Sequence, residues 1–469
     1  MGSRHNLINK DSHVLVVGLG ASGFSAVKFF KQLGLQISVS DITPIEQLNQ
    51  QYVHWLEENQ IPIEGGSHSS ELFNNADCIM VSPGIPLDIE PLQNARHRSV
   101  PVVGEMAIAA QYLQTPVVAV TGTNGKTTVT TLLGDIFRHC GRKVFVGGNI
   151  GTPLFDYLCG PQDADIVILE LSSFQLDTAG GKNGLHPKVA LLLNISPDHL
   201  DRYRSFSSYA SSKFQIFAAQ NQDDIAILNG DDPEINLRGK MWPVSRCFVF
   251  GNQLTPGRKG AYLQERRIVL SEEVSPQEKQ ELYDLTATAM SEEPNMQNSM
   301  AAILAARLMG CSQESILEGI KNFIPLPHRL TRVAEIDGVT YIDDSKATNI
   351  GAVQASLSSI RSKVILIAGG RDKGGDYSFL NNVIKEKVKL LLLIGEAKDQ
   401  MASSFQGLTT IEKAQSLQEA VYLASNAAQA GEVVLLSPAC ASFDMFSNYA
   451  ERGDVFCKAV RALKQKTEH

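Results

Sequence analysis

This chain of 469 residues has only two tryptophans and seven cysteines: Cys78, Cys140, Cys159, Cys247, Cys311, Cys440 and Cys457. None stands in a Cys-x-x-Cys pair and the number is odd. That pattern argues against a disulfide scaffold or a zinc ribbon, and buried reduced thiols are the expectation. No apolar run approaches the ~18 residues of a membrane span. The start, Met1–Asp11, is polar and lacks the apolar core of a signal peptide. A cytoplasmic protein without membrane insertion is therefore expected. Positive charge is not in excess: 42 Lys and Arg stand against 50 Asp and Glu, a net charge of −8. A nucleic-acid partner is not expected, whereas small anions stay open, because local amides and a few lysines suffice to bind phosphate. Short repeats and low-complexity tracts are missing too. A monomer is the default.

What is present is length and alternation. The chain is too long for one ordinary core and suits two to four domains. Short apolar runs of strand length alternate with helix-like stretches, the mark of an α/β chain with mostly parallel sheets. The strands read His13–Val17, Gln36–Ser40 and Ala76–Val81 in a first block. A second block has Pro116–Val120, Lys143–Val146, Asp165–Leu169, Val189–Leu193 and Asp224–Leu228, then helices Asn298–Met309 and Ser312–Phe323. A third, after the breaker Ile324-Pro325-Leu326-Pro327, has Val339–Ile342, Lys363–Ala368, Lys389–Ile394 and Glu432–Leu436. Boundaries fall near 106 and 325. Residues 251–285 carry the weakest pattern.

Two glycine-rich turns follow strands and open helices. Gly18-Leu19-Gly20-Ala21-Ser22-Gly23, with Asp41 ending the next strand, is a dinucleotide fingerprint in its proper context. It does not choose between NAD and a UDP-sugar, and a purely structural turn stays open. A tight turn, Ser82-Pro83-Gly84-Ile85, lies on the same carboxyl edge. Thr121-Gly122-Thr123-Asn124-Gly125-Lys126-Thr127-Thr128 is the second. Its amides and helix dipole suit ATP phosphates, Lys126 their β and γ oxygens, and the Thr127 hydroxyl a Mg²⁺ ion. Its first glycine, Gly122, stands only three residues before Gly125, two residues closer than in the general phosphate loop.

Two more strands end in chemistry. Asp165–Leu169 runs into Glu170-Leu171-Ser172-Ser173-Phe174-Gln175-Leu176, which places a carboxylate where such a loop holds its metal. Val189–Leu193 runs into Asn194-Ile195-Ser196-Pro197-Asp198-His199-Leu200-Asp201-Arg202, making His199 a candidate ligand. From its position alone Lys213 reads as a solvated helix lysine.

Together these segments resemble the Mur ligase family of peptidoglycan synthesis, over essentially the whole chain. Thr121–Thr128, Glu170–Leu176, Asp198–Tyr203, Pro327-His328-Arg329 and Asp343-Asp344-Ser345-Lys346-Ala347-Thr348-Asn349 carry the resemblance. Within the family the chain is similar to the members that add D-glutamate, through Glu170–Leu176, the Lys346/Thr348 segment and Leu436-Ser437-Pro438-Ala439-Cys440-Ala441-Ser442-Phe443-Asp444. The resemblance implies three domains: an N-terminal Rossmann-like domain that binds the UDP-sugar (1–106), a central P-loop ATPase-like domain with a mostly parallel sheet (107–325), and a C-terminal Rossmann-like domain that binds the amino acid (326–469).

It also implies roles. ATP would contact Gly122, Thr123, Asn124, Gly125, Lys126, Thr127, Thr128, Asn295, Asn298, Arg329 and Asp344. Two Mg²⁺ ions would be held, one by Thr127 and Glu170, the other by His199 and by Lys213 as a CO₂-derived carbamate. The UDP-N-acetylmuramoyl-L-alanine substrate would meet Gly20, Ala21, Ser22, Asp41, Ile42, Thr43, Gly84, Asn149 and His199. Lys346, Thr348, Lys373, Ser442, Phe443 and Tyr449 would line the D-glutamate pocket. Lys126, Glu170, His199 and Lys213 would be the catalytic set. The chain departs from the family in having Pro294 where His is frequent, no Arg near Thr43, and Tyr449 in place of Phe. Three rivals remain: a ligase of the same fold acting on a folate, a nicotinamide-dependent dehydrogenase, and a non-catalytic ATP-binding regulator.

Overall fold

The computed structural model describes residues 7–200, 202–241, 243–274 and 280–467. Met1–Asn6 of the polar start and Asp201 of the Asp198–Tyr203 run lie outside them. The chain separates into two compact units, one of residues 1–194, 210–285 and 298–322, the other of 195–209, 286–297 and 323–469. The first unit holds two sheets and the second one, giving three α/β domains with mostly parallel strands.

The first sheet contains β1 (His13–Val17), β2 (Gln36–Asp41), β3 (Ile63–Gly65), β4 (Cys78–Val81) and β5 (Val102–Val103). All pair in parallel, in the order β3-β2-β1-β4-β5. The order reverses between β1 and β4, and such a switch point opens a crevice at the carboxyl ends of the strands. The two glycine turns of this domain meet there.

The second sheet contains β6 (Val117–Thr121), β7 (Val144–Gly148), β8 (Ile166–Glu170), β9 (Val189–Leu192), β10 (Ile225–Asn229), β11 (Arg246–Gly251), β12 (Gly260–Gln264), β13 (Arg267–Leu270) and β14 (Glu281–Tyr283). Their order is β14-β13-β12-β11-β10-β9-β6-β8-β7. Strand β6 is buried along its whole length, as a strand covered on both faces must be. The weakly patterned stretch 251–285 becomes the antiparallel edge β12-β13-β14. An edge that is partly solvated has no continuous apolar run to announce it. Arg307 forks onto Glu281 at 2.8 to 3.0 Å and pins this edge to the helix Asn295–Leu308.

The two sheets of the first unit are joined by packing, not by strands. Phe29, on the helix Ala21–Gln32, stacks on Phe155 of the helix Leu154–Cys159 at 4.9 Å, and Lys28 pairs with Asp156 at 2.6 Å.

The third sheet, in the second unit, contains β15 (Thr331–Ile336), β16 (Val339–Asp343), β17 (Val364–Gly369), β18 (Val388–Ile394), β19 (Thr410–Lys413) and β20 (Val433–Leu436), in the order β15-β16-β20-β17-β18-β19. Only β15 is antiparallel. Apolar side chains from both of its faces form two buried clusters, one with Leu366 and Leu391 and one with Ile367 and Leu392.

One expectation needs correction. Cys140 and Cys311 are joined as a disulfide, with Cα atoms 5.9 Å apart, so the thiols are not all reduced. Their 171-residue separation in sequence hid a pairing that only helix packing creates.

Candidate functional site

At the first switch point Gly18 adopts φ +93°, and its carbonyl accepts a 2.8 Å bond from Ser82 Oγ. A side chain on Gly18 would press into Ser82 and Ile85. Asp41 is buried, and its two oxygens accept from the Leu19 amide at 2.7 Å and the Thr43 amide at 2.8 Å. Its carboxylate thus shapes the glycine turn. Ser22 donates to Glu105 at 2.7 Å. Glu105 is itself buried, and burial pushes its carboxyl above the usual range. Gly20, Ala21 and Gly84 are exposed, and Ile42 leaves 60% of its surface open, an apolar face beside the turn.

At the second switch point β6 lies between β9 and β8, and the phosphate loop follows it. Gly125, at φ +82°, caps the helix Lys126–His139, and a Cβ there would collide with Asn298 Oδ1. Lys126 Nζ lies across the loop on the carbonyls of Gly122 and Thr123, 2.8 Å from each. Lys213 is 1% exposed and donates to the Gly122 carbonyl at 3.0 Å. The solvated lysine read from position alone is therefore corrected: folding turns that helix face inward.

Asn194 holds the loop from the neighbouring strand end. Its carbonyl takes the Thr123 amide at 2.9 Å. Its side chain takes the Asn124 amide at 2.8 Å and donates to the Asn124 carbonyl at 3.1 Å.

Glu170 ends β8 opposite Val120, so its side chain emerges beside the loop. The helix that follows is fixed by a capping box in which Ser172 and Gln175 bond reciprocally. Asn149 donates to Glu170 Oε1 at 2.8 Å, while Oε2 is buried and has no hydrogen-bond partner among the described residues. A buried carboxylate oxygen left unpaired is costly. Beside a hydroxyl such as Thr127 on a phosphate loop, it suits a hard cation such as Mg²⁺.

In the second unit the loops after β16, β17 and β20 share the carboxyl edge of the third sheet. They line an open pocket with Pro197, Asp198, His199, Thr348, Asn349, Asp372, Lys373 and Tyr377. Asp198 organises it. One oxygen takes the His199 amide at 2.9 Å and lies 3.6 Å from Lys373 Nζ; the other accepts from Asn349 at 3.0 Å. Asn349 also caps the helix Ile350–Ser359. His199 takes φ +55°, a costly conformation for a non-glycine residue, with Nε2 3.7 Å from Asp198. Lys346 Nζ sits 4.1 Å from the Tyr449 ring centre, a cation–π contact. Buried Arg452 bonds both oxygens of Ser345 and the Cys440 carbonyl, and so fixes the Lys346 segment.

Three family descriptions match the chain in succession: Mur ligase MurD-like, N-terminal domain over residues 12–104; Mur ligase middle domain over 120–306; and Mur ligase, glutamate ligase domain over 328–440. The chain is 43% identical over 461 residues to a UDP-N-acetylmuramoylalanine--D-glutamate ligase of Citrifermentans bemidjiense, covering 97% of this chain and 99% of that one. The chain belongs to the Mur ligase family.

A protein of the same name from Geotalea daltonii is 42% identical over 454 residues, 97% of this chain and 98% of its own. Among solved structures, a pseudomurein peptide ligase type C from Methanothermus fervidus has a TM-score of 0.60 at 19% identity, with 97% of this chain and 100% of that one covered. The MurF ligase of Thermotoga maritima in complex with ADP has a TM-score of 0.57 at 17% identity, covering 91% and 95%. These likenesses show the fold.

On this Mur ligase the residues expected at the site fall into separate groups. Gly122–Thr128, Asn149, Glu170, Lys213 and Asn298 gather at the second sheet, while His199, Thr348 and Lys373 share the pocket of the other unit. Asn295 opens the helix that carries Asn298. Ser442 is buried in the loop after β20, with Phe443 beside it 64% exposed. Arg329 is half-buried just before β15. Asp344 is turned inward, accepting from Ser356 at 2.6 Å, Ser437 at 2.8 Å and the Leu330 amide at 3.3 Å.

Asn194, Glu105, Asp198 and Asn349 were not singled out from sequence. Asn194 and Asp198 lie inside the segment that drew attention to His199, and Asn349 closes the Lys346/Thr348 segment. Their hydrogen-bonding side chains were the available signal.

Two expected results arise here. Asn194→Ala removes two side-chain bonds that set the loop, worth roughly 2 kcal/mol together. The KM for ATP should rise about 30-fold while the KM for the amino acid stays put. Equal rises in both would count against a loop-specific role.

Burial pushes the Asp344 carboxyl up to about 7, despite the hydrogen bonds that pull the other way. A folded pKa above the unfolded one stabilises the protein fully at low pH, and that contribution is lost as pH rises from about 4 through about 7. Its size is ~4 kcal/mol. Asp344→Asn should flatten the fall in Tm between pH 5 and pH 8. A variant whose melting profile keeps the parent's pH slope would refute the assignment.

Proposed function

We propose that this protein joins D-glutamate to UDP-N-acetylmuramoyl-L-alanine at the expense of ATP, giving ADP and phosphate, as a monomeric cytoplasmic enzyme of peptidoglycan precursor synthesis. The observation that carries the reading is identity above 40%, over nearly the full length of both chains, to ligases named for that reaction. The phosphate loop with Lys126, and the unpartnered Glu170 oxygen next to it, support ATP and Mg²⁺ as the energy-supplying pair.

The problem the site must solve is charge. A carboxylate has to approach the γ-phosphoryl group of a polyanion. Loop amides and the helix N-terminus hold the phosphates, and Lys126 neutralises the oxygens on which charge builds. Thr127 and Glu170 would hold one Mg²⁺, and His199 and Lys213 the second. The ions supply Lewis-acid charge stabilisation when bound.

The alanyl carboxylate oxygen attacks the γ-phosphorus and ADP departs, leaving an acyl phosphate. The D-glutamate amine attacks the acyl carbon, phosphate leaves, and the amine's proton passes to solvent or a base. Lys373 and Lys346 supply cations for the D-glutamate carboxylates, with Thr348, Ser442, Phe443 and Tyr449 around them. Gly20, Ala21, Ser22, Ile42 and Gly84 line the uridine side. Asp41 acts there by shaping the turn.

Lys213 is proposed to work as a carbamate, formed with CO₂, which replaces a cation by an anionic oxygen ligand. Protein in ¹³C-bicarbonate should give a carbamate carbon resonance that Lys213→Ala lacks; the same resonance in the variant would move the modification elsewhere.

The deciding assay is phosphate release with ATP, Mg²⁺ and UDP-N-acetylmuramoyl-L-alanine. Release is expected with D-glutamate and not with L-glutamate, L-lysine or diaminopimelate. Release with another amino acid would keep the ligase and overturn the pocket. No release at all would overturn the substrate.

A further inference from the structure

The helices Lys126–His139 and Asn295–Leu308 both reach the phosphate loop near their N-terminal ends, where Gly125 meets Asn298. Cys140 caps the far end of the first, and Cys311 follows the far end of the second by three residues. The 5.9 Å Cα separation lies within the range a disulfide spans. Around the pair the packing is tight: Arg142 donates to the Met309 carbonyl at 2.6 Å, and Gly319, on the helix Gln313–Asn322, leaves no room for a Cβ against Ile136. Cys311 is 2% exposed, whereas Cys140 is half-buried. Cys140 is therefore the more accessible residue of the pair, and Cys311 is held behind it as the resolving partner. Arg142 holds the Met309–Gly310 turn that leads into Cys311, so the position of that cysteine is fixed by the helix end before it.

We propose that Cys140 and Cys311 form a reversible redox site, oxidised by small-molecule disulfides such as glutathione disulfide, which staples together the two helices framing the phosphate loop. The Cys140 thiolate attacks one sulfur of the external disulfide, forms a mixed disulfide and expels one small thiolate. The Cys311 thiolate then attacks the Cys140 sulfur and expels the second. Two protein thiols are oxidised, one disulfide is reduced, and the two protons end on the released thiols. None of this depends on the identity of the ligase substrate.

The staple closes a loop of 171 residues, and long loops gain most from closure. The test uses the full chain, reduced and then treated with glutathione disulfide, with remaining thiols alkylated and the peptides mapped by mass. A linked Cys140–Cys311 peptide is expected, with a rise in Tm of ~5 °C or more that dithiothreitol reverses. Treated Cys140→Ser and Cys311→Ser should each show no rise over their own untreated samples. A glutathione adduct that stays on Cys140 without the link would overturn the proposal. So would a linked protein whose Tm moves by less than ~1 °C.

Discussion

Lys126→Ala is expected to lower D-glutamate-dependent phosphate release by about 10²- to 10³-fold, the loss typical of removing one preorganised donor from developing negative charge. The loop's amides survive the substitution, because Asn194 and the positive φ of Gly125 hold its shape even when the two bonds from Lys126 are lost. Nucleotide should therefore still bind, more weakly, and the loss should fall chiefly on kcat. Lys126→Arg should not restore the rate: its planar fork cannot occupy the point between the Gly122 and Thr123 carbonyls that an ammonium fills. Steady-state kinetics with ATP varied separate the two parameters. A variant with full kcat and only a raised KM for ATP would make Lys126 a binding group and remove it from phosphoryl transfer.

Lys373→Met should raise the KM for D-glutamate about 100-fold, the equivalent of ~3 kcal/mol, and leave the KM for ATP within about twofold. Lys373 stands in the pocket 3.6 Å from Asp198, far enough to be a loose ion pair that an incoming carboxylate can compete for. Methionine keeps the apolar stem and removes only the charge. Asp198 keeps its bonds to Asn349 and the His199 amide, so the pocket wall should stand. An unchanged KM for D-glutamate in this variant would move the recognition of its carboxylates away from Lys373.

Much of this was legible in the chain because the chemistry sits where strands end. A buried parallel strand writes itself as a short apolar run, and the residue after it lies at the carboxyl edge of the sheet. Thr121–Lys126 after β6, Glu170 at the end of β8 and the Lys346 segment after β16 could be placed that way. The resemblance to Mur ligases then attached roles to them. Elsewhere local sequence is silent. Lys213 looks like any helix lysine until the helix turns it onto the Gly122 carbonyl. The resemblance gives Asp344 to ATP, and nothing in the local sequence tells that Ser356 and Ser437 close over its carboxylate. Asp198 gains its importance from Lys373 and Asn349, each more than 150 residues away.

By itself the sequence determined the α/β class, the three sheets and the two glycine turns, since strand length, helix period and φ > 0 glycines are local properties. Tertiary structure alone decided which carboxylates face inward, that Asn194 holds the phosphate loop, and that Cys140 meets Cys311. Those are contacts between residues remote in sequence, set by how helices and strands pack after each has formed.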